Sequence, residues 1–378
     1  MKILLFANTE WYLYNFRLSL AMALRDAGHE VLLVSPPGPY GEKLQALGFR
    51  WVPAPMQRRS LNPLLELALV RWLYQLLRAD QVDLVHGFTI KCAVYGALAA
   101  RLAGVPARVS AVAGMGYVFT SDDCKARLLR PLVRLLIRAA LDGGNARLIL
   151  QNPDDLALFQ QARLVSPQHL RLIPGSGVDC QRFVPAVGPR PERVFTVVLP
   201  ARLLWDKGLA EYVAAARQLR AEGRKIVFQL AGEPDPGNPA SVPASTVRGW
   251  VHEELLQWLG HVSDMPGLLQ SVDAVILPSY REGLPKGLIE AGACALPLVT
   301  TDVPGCREVV EDGVSGLLVP VKDSAALAAA IARLQDDPGL CALLGKAARR
   351  KALVEFDEAI VIARTIDVYR ELLSEARA

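Results

Sequence analysis

The chain has 378 residues, of which 52% are hydrophobic and 21% are charged, and its formal net charge is +4. This length favours two domains, each with its own core, and this composition excludes a disordered chain. A net charge this small, without a dense Lys/Arg run among aromatic residues, gives no support to nucleic acid as a partner.

The first residues combine one lysine with a short apolar run and then become polar, where a signal peptide would stay apolar. No apolar stretch reaches the roughly 18 residues that a membrane-spanning helix needs. The cysteines are widely spaced, which favours reduced, mostly buried thiols over zinc ligands. They are Cys92, Cys124, Cys180, Cys294, Cys306 and Cys341. We therefore expect a cytoplasmic protein.

In the N-terminal half, short aliphatic runs alternate with longer amphipathic stretches, which is typical of βαβ units and a parallel sheet. The predicted strands span residues 3–7, 31–35, 51–53, 84–86, 108–113 and 147–151. The predicted helices span residues 17–27, 41–47, 61–79, 93–103 and 125–141. This half is expected to form one Rossmann-like domain.

Residues 184–193 contain three prolines and little periodicity, which indicates a linker. A second βαβ series follows, and a last amphipathic stretch has no strand after it. Its predicted strands span residues 195–199, 226–231, 258–259, 274–277, 298–300 and 316–319. Its predicted helices span residues 209–222, 265–271, 285–293, 307–311 and 325–335. The predicted domains are residues 1–187 and 188–356, with a terminal helix at 357–378 that packs back across the first domain.

The strongest functional pattern is the stretch from Ser279 to Glu290, which follows an apolar strand and opens a helix. Its two glutamates, Glu282 and Glu290, are expected beyond the carboxyl end of the strand, where open α/β sheets bind ligands. The first turn of the helix between them suits a diphosphate, and Pro285 fits its first position. The alternative is that both glutamates are solvated charges at a helix end.

A second pattern, Pro200–Gly208, follows the first strand of the second domain and carries Arg202 and Lys207. An arginine fork and a lysine point charge on one loop can neutralise a departing diphosphate. The alternative is a surface loop whose cations pair with Asp206.

These patterns resemble the retaining glycosyltransferase family 4, which has the GT-B fold of two Rossmann-like parallel-sheet domains facing across a cleft. The likeness covers most of the chain and is densest over residues 175–321. It rests on GSGVD (175–179), ARLLWDKG (201–208), PSYREGLPKGLIEA (278–291) and TTDVPGCREVVEDGVSGLLVP (300–320).

The resemblance implies roles for individual positions in binding and reaction of a nucleotide-sugar, with UDP-sugar as the expected donor. Arg202 and Lys207 would contact the donor diphosphate, Glu282 the transferred sugar and Glu290 the ribose. Backbone amides in the segment Gly283, Leu284, Pro285 and Lys286 would help to hold the phosphates. Cations and amides would then stabilise the leaving group without a divalent metal or any other cofactor. We also find no Asp-x-Asp pair that would bind a metal.

Within that family the chain is similar to bacterial enzymes that add N-acetylhexosamine to polyprenyl-diphosphate-linked sugars in cell-surface polysaccharide or oligosaccharide assembly. VHGFTIK (85–91) and AGMGYVF (113–119) carry this likeness. Lys91 and His86 are expected just beyond a strand's carboxyl end, where Lys91 could attract an acceptor phosphate. A structural role for His86 is an equal alternative.

Two departures from the family pattern affect the acceptor side. Many members have a histidine after the fifth N-terminal strand, where this chain has Ala113-Gly114-Met115-Gly116, so backbone groups at Gly114 and Gly116 are the expected replacement. The first loop also lacks paired glycines, and Asn15 and Arg17 are candidates to line the cleft there. A helix-start role for Asn15 is the alternative.

Two basic, leucine-rich segments of the first domain suggest peripheral binding to the inner face of an anionic cytoplasmic membrane. They are residues 125–141, with Arg127, Arg130, Arg134 and Arg138, and residues 58–78, with Arg58, Arg59, Arg71 and Arg78. An ordinary amphipathic core helix with a basic outer face is the alternative for the first segment.

Other functions are less well supported by the residues. An epimerase or hydrolase on the same fold needs an acid/base pair that we cannot identify. A non-catalytic sugar-nucleotide-binding scaffold would be expected to lack a motif residue, and all four of Arg202, Lys207, Glu282 and Glu290 are present. A dehydrogenase is disfavoured because no Gly-x-Gly-x-x-Gly opens either half.

Overall fold

The computed structural model describes residues 1–58, 60, 62–112, 134–188 and 193–375. The chain forms two compact units: unit 1 is Met1–Ser176 together with the chain from Val361, and unit 2 is Gly177–Ile360. The sequence prediction assigns residues 177–187 to the first domain, but in the structure they belong to unit 2. Val178, Cys180 and Phe183 of this stretch lie in the hydrophobic core of unit 2.

In the described part of unit 1, seven parallel strands form one sheet in the order β3-β2-β1-β4-β5-β6-β7. The strands are β1 (Lys2–Phe6), β2 (Glu30–Ser35), β3 (Arg50–Pro53), β4 (Leu84–Phe88), β5 (Ala107–Val112), β6 (Ala146–Leu150) and β7 (Leu170–Leu172). The strand order reverses between β1 and β4, which creates the switch point where such sheets bind ligands.

The helices of unit 1 cover both faces of this sheet. They are α1 (Glu10–Tyr12), which continues through a π-helix (Leu13–Arg17) into α2 (Leu18–Asp26), then α3 (Tyr40–Ala46), α4 (Pro63–Asp80), α5 (Ile90–Ala103), α6 (residues 134–141) and α7 (Pro153–Gln161). A short 3-10 helix (Pro167–His169) precedes β7. The structure adds α7 and β7 to the predicted elements and begins the first helix at Glu10 rather than Arg17.

Alternate residues of β1 belong to two different core clusters of unit 1. Ile3 and Leu5 belong to the cluster that includes α2 and the chain's last helix, whereas Leu4 and Phe6 belong to the cluster under α4 and α5. Because both faces are covered, the strand is a continuous apolar run rather than an alternating one.

In unit 2, within residues 193–360, six parallel strands form a sheet in the order β10-β9-β8-β11-β12-β13. They are β8 (Phe195–Pro200), β9 (Ile226–Ala231), β10 (Gln257–Gly260), β11 (Ala274–Leu277), β12 (Leu298–Thr301) and β13 (Leu317–Val319). The order reverses between β8 and β11, so the loops that follow these strands flank the switch point of this sheet.

The helices of unit 2 follow its strands. They are α8 (Leu209–Ala221), α9 (Ala244–His252), α10 (Met265–Gln270), α11 (Lys286–Ala293), α12 (Cys306–Val309), α13 (Ser324–Asp336) and α14 (Pro338–Lys351), with a 3-10 helix at Trp205–Lys207 and a π-helix at Ala352–Phe356. The sequence did not predict α9 and α14. A last helix, α15 (Glu358–Glu375), returns the chain to unit 1.

Charged and apolar contacts both hold α15 in unit 1. Val368 and Leu372 are buried in the core, and Arg147 of β6 donates hydrogen bonds to Glu371 at 2.9 Å and to Glu375 at 2.7 and 2.8 Å. Burial by itself raises the pKa of Glu371, but hydrogen bonds from Arg171 and Arg147 outweigh it and lower that pKa. The helix is therefore an integral part of the first unit.

Candidate active site

The residues of the two strongest sequence patterns lie at one edge of the unit 2 sheet. Arg202 and Lys207 follow β8, and Glu282 follows β11, its neighbour across the switch point. The carboxyl ends of parallel strands meet at the same edge, so these side chains converge although 75 residues separate Lys207 from Glu282.

Lys207 and Glu282 form the centre of this site. The ammonium Nζ of Lys207 donates to Glu282 Oε1 at 2.5 Å, and the side chains are 19% and 11% exposed. The hydroxyl of Ser279, which is fully buried, donates to the same carboxylate oxygen at 2.6 Å. Glu282 is thus oriented through one oxygen, an arrangement that suits its other oxygen to accept a substrate hydroxyl.

Ser279 is held in turn by its neighbours. Thr301, at the end of β12, donates its hydroxyl to the backbone oxygen of Ser279, and Thr300 donates to Leu277 O at 2.7 Å. These buried threonines tie the loop after β11 to the adjacent strand. Ser279 belongs to the motif, but the sequence alone does not assign it a role. Its spacing of three residues before Glu282 was the signal that could have identified the hydrogen bond.

Two glycines permit the close packing of the loops. Gly208 has φ +74°, and a Cβ there would lie 2.1 Å from the Pro278 carbonyl oxygen. Gly305 has φ +81°, and a Cβ there would lie 2.6 Å from Gly283 O. Any side chain at either position would push apart the loops that carry Lys207 and Glu282.

Arg202 does not pair with Asp206, the partner considered in the alternative from sequence. Its Nη1 instead donates to Asp235 Oδ2 at 2.8 Å, in the loop after β9. Asn238 donates to the same oxygen at 3.1 Å, so the acid is fixed within its own loop. Asp235 is a site residue that the sequence analysis missed, since that loop has no motif that we recognised.

Glu290 lies in the second turn of α11 as expected. Its carboxylate is 3.8 Å from Lys286 Nζ and 15% exposed, and burial raises its pKa against the opposing effects of Lys286 and Arg182. Pro285 was predicted to be the first helical residue, but α11 begins at Lys286. The proline precedes Lys286 in an extended conformation, and its carbonyl accepts from Leu288 N at 3.1 Å. The largely buried carboxylate of Glu290 suits hydroxyl recognition better than a free surface charge would.

Leu284 and Gly283 both contact other parts of unit 2. Leu284 packs against the core of unit 2, which anchors the turn before α11. Gly283 places its carbonyl oxygen next to Gly305. The phosphate-binding role that the resemblance implies for this turn stays a prediction.

In unit 1, His86 lies inside β4, not beyond the carboxyl end of the strand as we had predicted. The strand continues through Gly87 to Phe88. Gly87 allows the close approach of α5, since a Cβ there would be 2.6 Å from Cys92 O. His86 is 1% exposed, and its Nδ1 is 2.5 Å from the Tyr369 hydroxyl. Burial lowers its pKa well below the ordinary value, and Arg17 adds to the effect. These surroundings favour the structural alternative for this histidine.

Lys91 lies at the start of α5, and its ammonium is occupied by three oxygen atoms. It donates to Gln57 O at 2.8 Å, Ser60 O at 3.0 Å and Glu66 Oε1 at 2.8 Å. The lysine therefore joins α4 and the loop before it to α5. Its acceptor-binding role stays a prediction, and a phosphate would have to compete with this carboxylate.

Asn15 does not start a helix, because Thr9 is the capping residue and its hydroxyl accepts from Tyr12 N at 3.0 Å. Asn15 lies within the π-helix and donates to Trp11 O at 3.0 Å. Arg17 is 5% exposed, with its guanidinium 4.3 Å from the Phe88 ring centre. Gly114, Gly116 and most of the basic segment 125–141 lie outside the described residues, and residues 134–141 are helical.

The described residues contain neither a metal-binding cluster nor a membrane-spanning helix. Within those ranges no group of three or more His, Cys, Asp or Glu side chains is placed to hold a metal ion. No helix in the same ranges is both long and apolar enough to cross a bilayer.

Comparison with protein families assigns both halves of the chain. Residues 194–337 match the family model described as glycosyl transferases group 1, and residues 2–152 match the model described as glycosyl transferase 4-like. Each half of the chain therefore carries a glycosyltransferase domain, of the group 1 type in residues 194–337 and of the 4-like type in residues 2–152. The predicted likeness to family 4 glycosyltransferases is confirmed at the level of these domains, and the Arg202/Lys207 and Glu282/Glu290 patterns lie within the first matched region.

Two relatives align with most of this chain. It is 28% identical, over 99% of both chains, to the N,N'-diacetylbacillosaminyl-diphospho-undecaprenol alpha-1,3-N-acetylgalactosaminyltransferase of Campylobacter jejuni. It is 27% identical, over 83% of this chain and 82% of the other, to an Escherichia coli enzyme named as a UDP-Gal:alpha-D-GlcNAc-diphosphoundecaprenol alpha-1,3-galactosyltransferase. The narrower likeness to enzymes that extend lipid-diphosphate-linked sugars is confirmed.

Solved glycosyltransferase structures confirm the predicted GT-B architecture of two Rossmann-like domains. A glycosyltransferase from Rickettsia africae superposes with a TM-score of 0.81, at 18% identity and with 98% of each chain covered. The Anabaena protein HepE in complex with UDP superposes with a TM-score of 0.79, at 21% identity, covering 98% of this chain and 100% of that one. At these identities the likeness concerns the fold.

Proposed function

We propose that this glycosyltransferase moves an N-acetylhexosamine unit from a UDP-sugar to a polyprenyl-diphosphate-linked sugar, with retention of anomeric configuration and without a metal. The observation that carries the proposal is the Lys207–Glu282–Ser279 arrangement at the switch point of unit 2. The names of the two bacterial relatives, which act on undecaprenyl-diphosphate-linked sugars, support the acceptor class.

The chemistry follows from where charge develops. As the bond between the sugar and UDP breaks, negative charge grows on the diphosphate and positive charge on the sugar ring. Lys207 and Arg202 would stabilise the first charge, as preorganised cations do at oxyanion sites. Glu282 would bind sugar hydroxyls, and Glu290 the ribose. The two cations supply the charge stabilisation that a bound divalent ion otherwise provides.

In a direct assay we expect the purified full chain to release UDP from a UDP-N-acetylhexosamine only when a polyprenyl-diphosphate-linked sugar is present. Mass spectrometry should show an acceptor longer by one N-acetylhexosamine, NMR should show the anomeric configuration retained, and excess chelator should leave the rate unchanged. UDP-glucose and UDP-galactose serve as comparison donors. Equal UDP release without acceptor would instead identify a hydrolase, and loss in chelator restored by a divalent ion would disprove the metal-free mechanism.

We also propose that unit 1 binds the inner face of an anionic membrane, through a surface defined here as the exposed face of α4. Leu64 and Leu67 on this face are 75% and 67% exposed, and Arg71 and Arg78 are exposed further along the helix. Glu66, the acidic residue of the first turn, is buried. Exposed leucines beside arginines suit the boundary between acyl chains and anionic headgroups.

Replacing Leu64 and Leu67 by serine should lower binding to phosphatidylglycerol vesicles at low salt, because the exposed face of α4 loses its apolar contact with the acyl region. Both side chains are mostly exposed, so the unfolding temperature should stay close to that of the wild type. Leu343→Ser is the matched control, since Leu343 is 69% exposed on α14 of unit 2. Vesicle sedimentation measures the result, and equal binding by all three proteins would rule out this surface.

A further inference from the structure

A polar pocket lies in unit 1, at the amino-terminal edge of its sheet. It has a volume of about 340 Å³ and is lined by Arg101, Gly104, Val105, Pro106, Arg108, Asp142, Gly143 and Asn145. These residues belong to two neighbouring connections, from α5 to β5 and from α6 to β6. Lys91, at the start of α5, follows the carboxyl end of β4 and so lies towards the opposite edge of the sheet, roughly 20 Å away along a six-residue strand.

Arg108 is the unusual residue of this pocket. It is the second residue of β5, it is 3% exposed, and its Nη2 donates to Asn145 Oδ1 at 2.8 Å. Its Nε and Nη1 are buried and have no hydrogen-bond partner among the residues that the structure describes. Buried donors of a charged group are costly to leave unpaired, so such a group indicates a missing partner.

The charges around the pocket favour an anion as that partner. Arg101 also lines the pocket, with one guanidinium nitrogen donating to Ala139 O at 2.7 Å. Burial lowers the pKa of Arg108 to about 10, and the nearby charge of Arg101 adds to this effect. Both guanidinium groups line the same pocket, and an anion bound between them would offset the repulsion of their positive charges.

The acid of the pocket, Asp142, is engaged elsewhere. Its Oδ1 accepts from His169 Nδ1 at 2.6 Å and from the backbone of Ser166 at 3.2 Å, and its Oδ2 accepts from Ser166 Oγ at 2.9 Å. Burial alone raises the pKa of Asp142, but these hydrogen bonds outweigh it, and the pKa is lowered. The carboxylate is thus ionised and satisfied by its own neighbours, without a hydrogen bond to Arg108.

We propose that unit 1 carries a binding site for a phosphate ester, in which Arg108 and Arg101 hold the phosphate group. The two unpaired nitrogens of Arg108, the guanidinium of Arg101 and the amide nitrogen of Asn145 offer more donors than the two oxygens of a carboxylate can use. They match the several oxygens of a phosphate, which arginine forks bind well. The pocket has the volume of about ten water molecules, at ~30 Å³ each, so it also has room for an organic group attached to the phosphate.

Phosphate titrations of the full chain test this site. Arg202→Ala and Lys207→Ala are present in every protein, so that the candidate donor site does not contribute. The unfolding temperature should rise with inorganic phosphate relative to chloride at equal ionic strength, because a ligand that binds the folded state stabilises it. Adding Arg108→Met should weaken the apparent phosphate affinity at least about tenfold, the cost of losing hydrogen bonds to a charged group. Arg364→Met, an exposed arginine of α15, is the matched control and should change nothing.

Two further variants keep the test decisive if Arg108→Met does not fold. Asn145→Ala and Arg101→Gln change exposed side chains, and each should weaken the phosphate effect. Sedimentation with phosphatidylglycerol vesicles then identifies the source of the phosphate. If the variants lose vesicle binding as well, the phosphate belongs to a lipid headgroup; if they lose only the phosphate effect, it belongs to a soluble ester. A phosphate response equal to that of the Arg364 control in all three variants, or no response in the parent protein, would overturn the proposal.

Discussion

Replacing Lys207 by methionine should lower the rate of sugar transfer at least about a hundredfold, which is the usual effect of removing one preorganised stabiliser of a developing charge. Methionine keeps much of the length of the side chain and removes the ammonium that contacts Glu282. The loss should fall mainly on kcat, because the diphosphate carries more charge in the transition state than in the bound donor. Steady-state kinetics with the lipid-linked acceptor measure it.

Lys225→Met is the matched control, since Lys225 is an exposed lysine of unit 2 between α8 and β9, at the other edge of the sheet. Its kinetics should equal those of the wild type. Circular dichroism and thermal unfolding should show that both variants are folded, with some destabilisation at Lys207 because Glu282 loses its ion pair. Near-normal turnover by folded Lys207→Met would remove the proposed diphosphate site.

Both cations expected at the diphosphate are paired with carboxylates in the structure. Lys207 contacts Glu282, and Arg202 contacts Asp235. Arg202 is 55% exposed, so its ion pair is screened by water and is weak, whereas the Lys207 pair is largely shielded. We therefore expect Arg202 to change partner readily when a donor binds. Lys207 would keep its contact with Glu282 and so couple the diphosphate and sugar sites.

The sequence could predict the positions of site residues that directly follow a strand. The motif ending at Glu290 follows an apolar run, and so does the loop with Lys207, which is enough to place both at the carboxyl edge of a parallel sheet. The partner of Arg202 could not be predicted in this way. Asp235 is 33 residues away, in a loop without periodicity, and its position depends on tertiary packing.

The errors in unit 1 have local causes. Asn15 suggested a helix start, but Thr9, followed directly by Glu10, is the better signal because a capping hydroxyl and an acid in the first turn act together. The strand predicted at residues 84–86 continues to Phe88, and Gly87 within it permits close packing of α5 against β4. Arg108 gave no signal at all, since a lone arginine in an apolar strand does not reveal whether its guanidinium has a partner.

Replacing Gly208 by alanine should reduce transfer by about a hundredfold or more, although the residue contacts no substrate in the proposed mechanism. The new Cβ would lie 2.1 Å from the Pro278 carbonyl oxygen, so the loop with Lys207 must move away from the loop with Glu282 by roughly an ångström to restore van der Waals contact. Misplacement of this size in a catalytic arrangement is enough to cost about a hundredfold in rate.

Alanine at positive φ also strains the backbone. Substitution of Gly223 measures this strain separately from the loop displacement. The φ of Gly223, +78°, is close to the +74° of Gly208, but a Cβ at Gly223 would meet nothing within 4 Å. Gly223→Ala should therefore lose about 1 kcal/mol of folding free energy and little activity. Transfer rates, unfolding temperatures and UDP affinity are compared for both variants. If Gly208→Ala matches Gly223→Ala in rate, the contact with Pro278 does not position Lys207, and the spacing of the two loops is not what sets the geometry of the site.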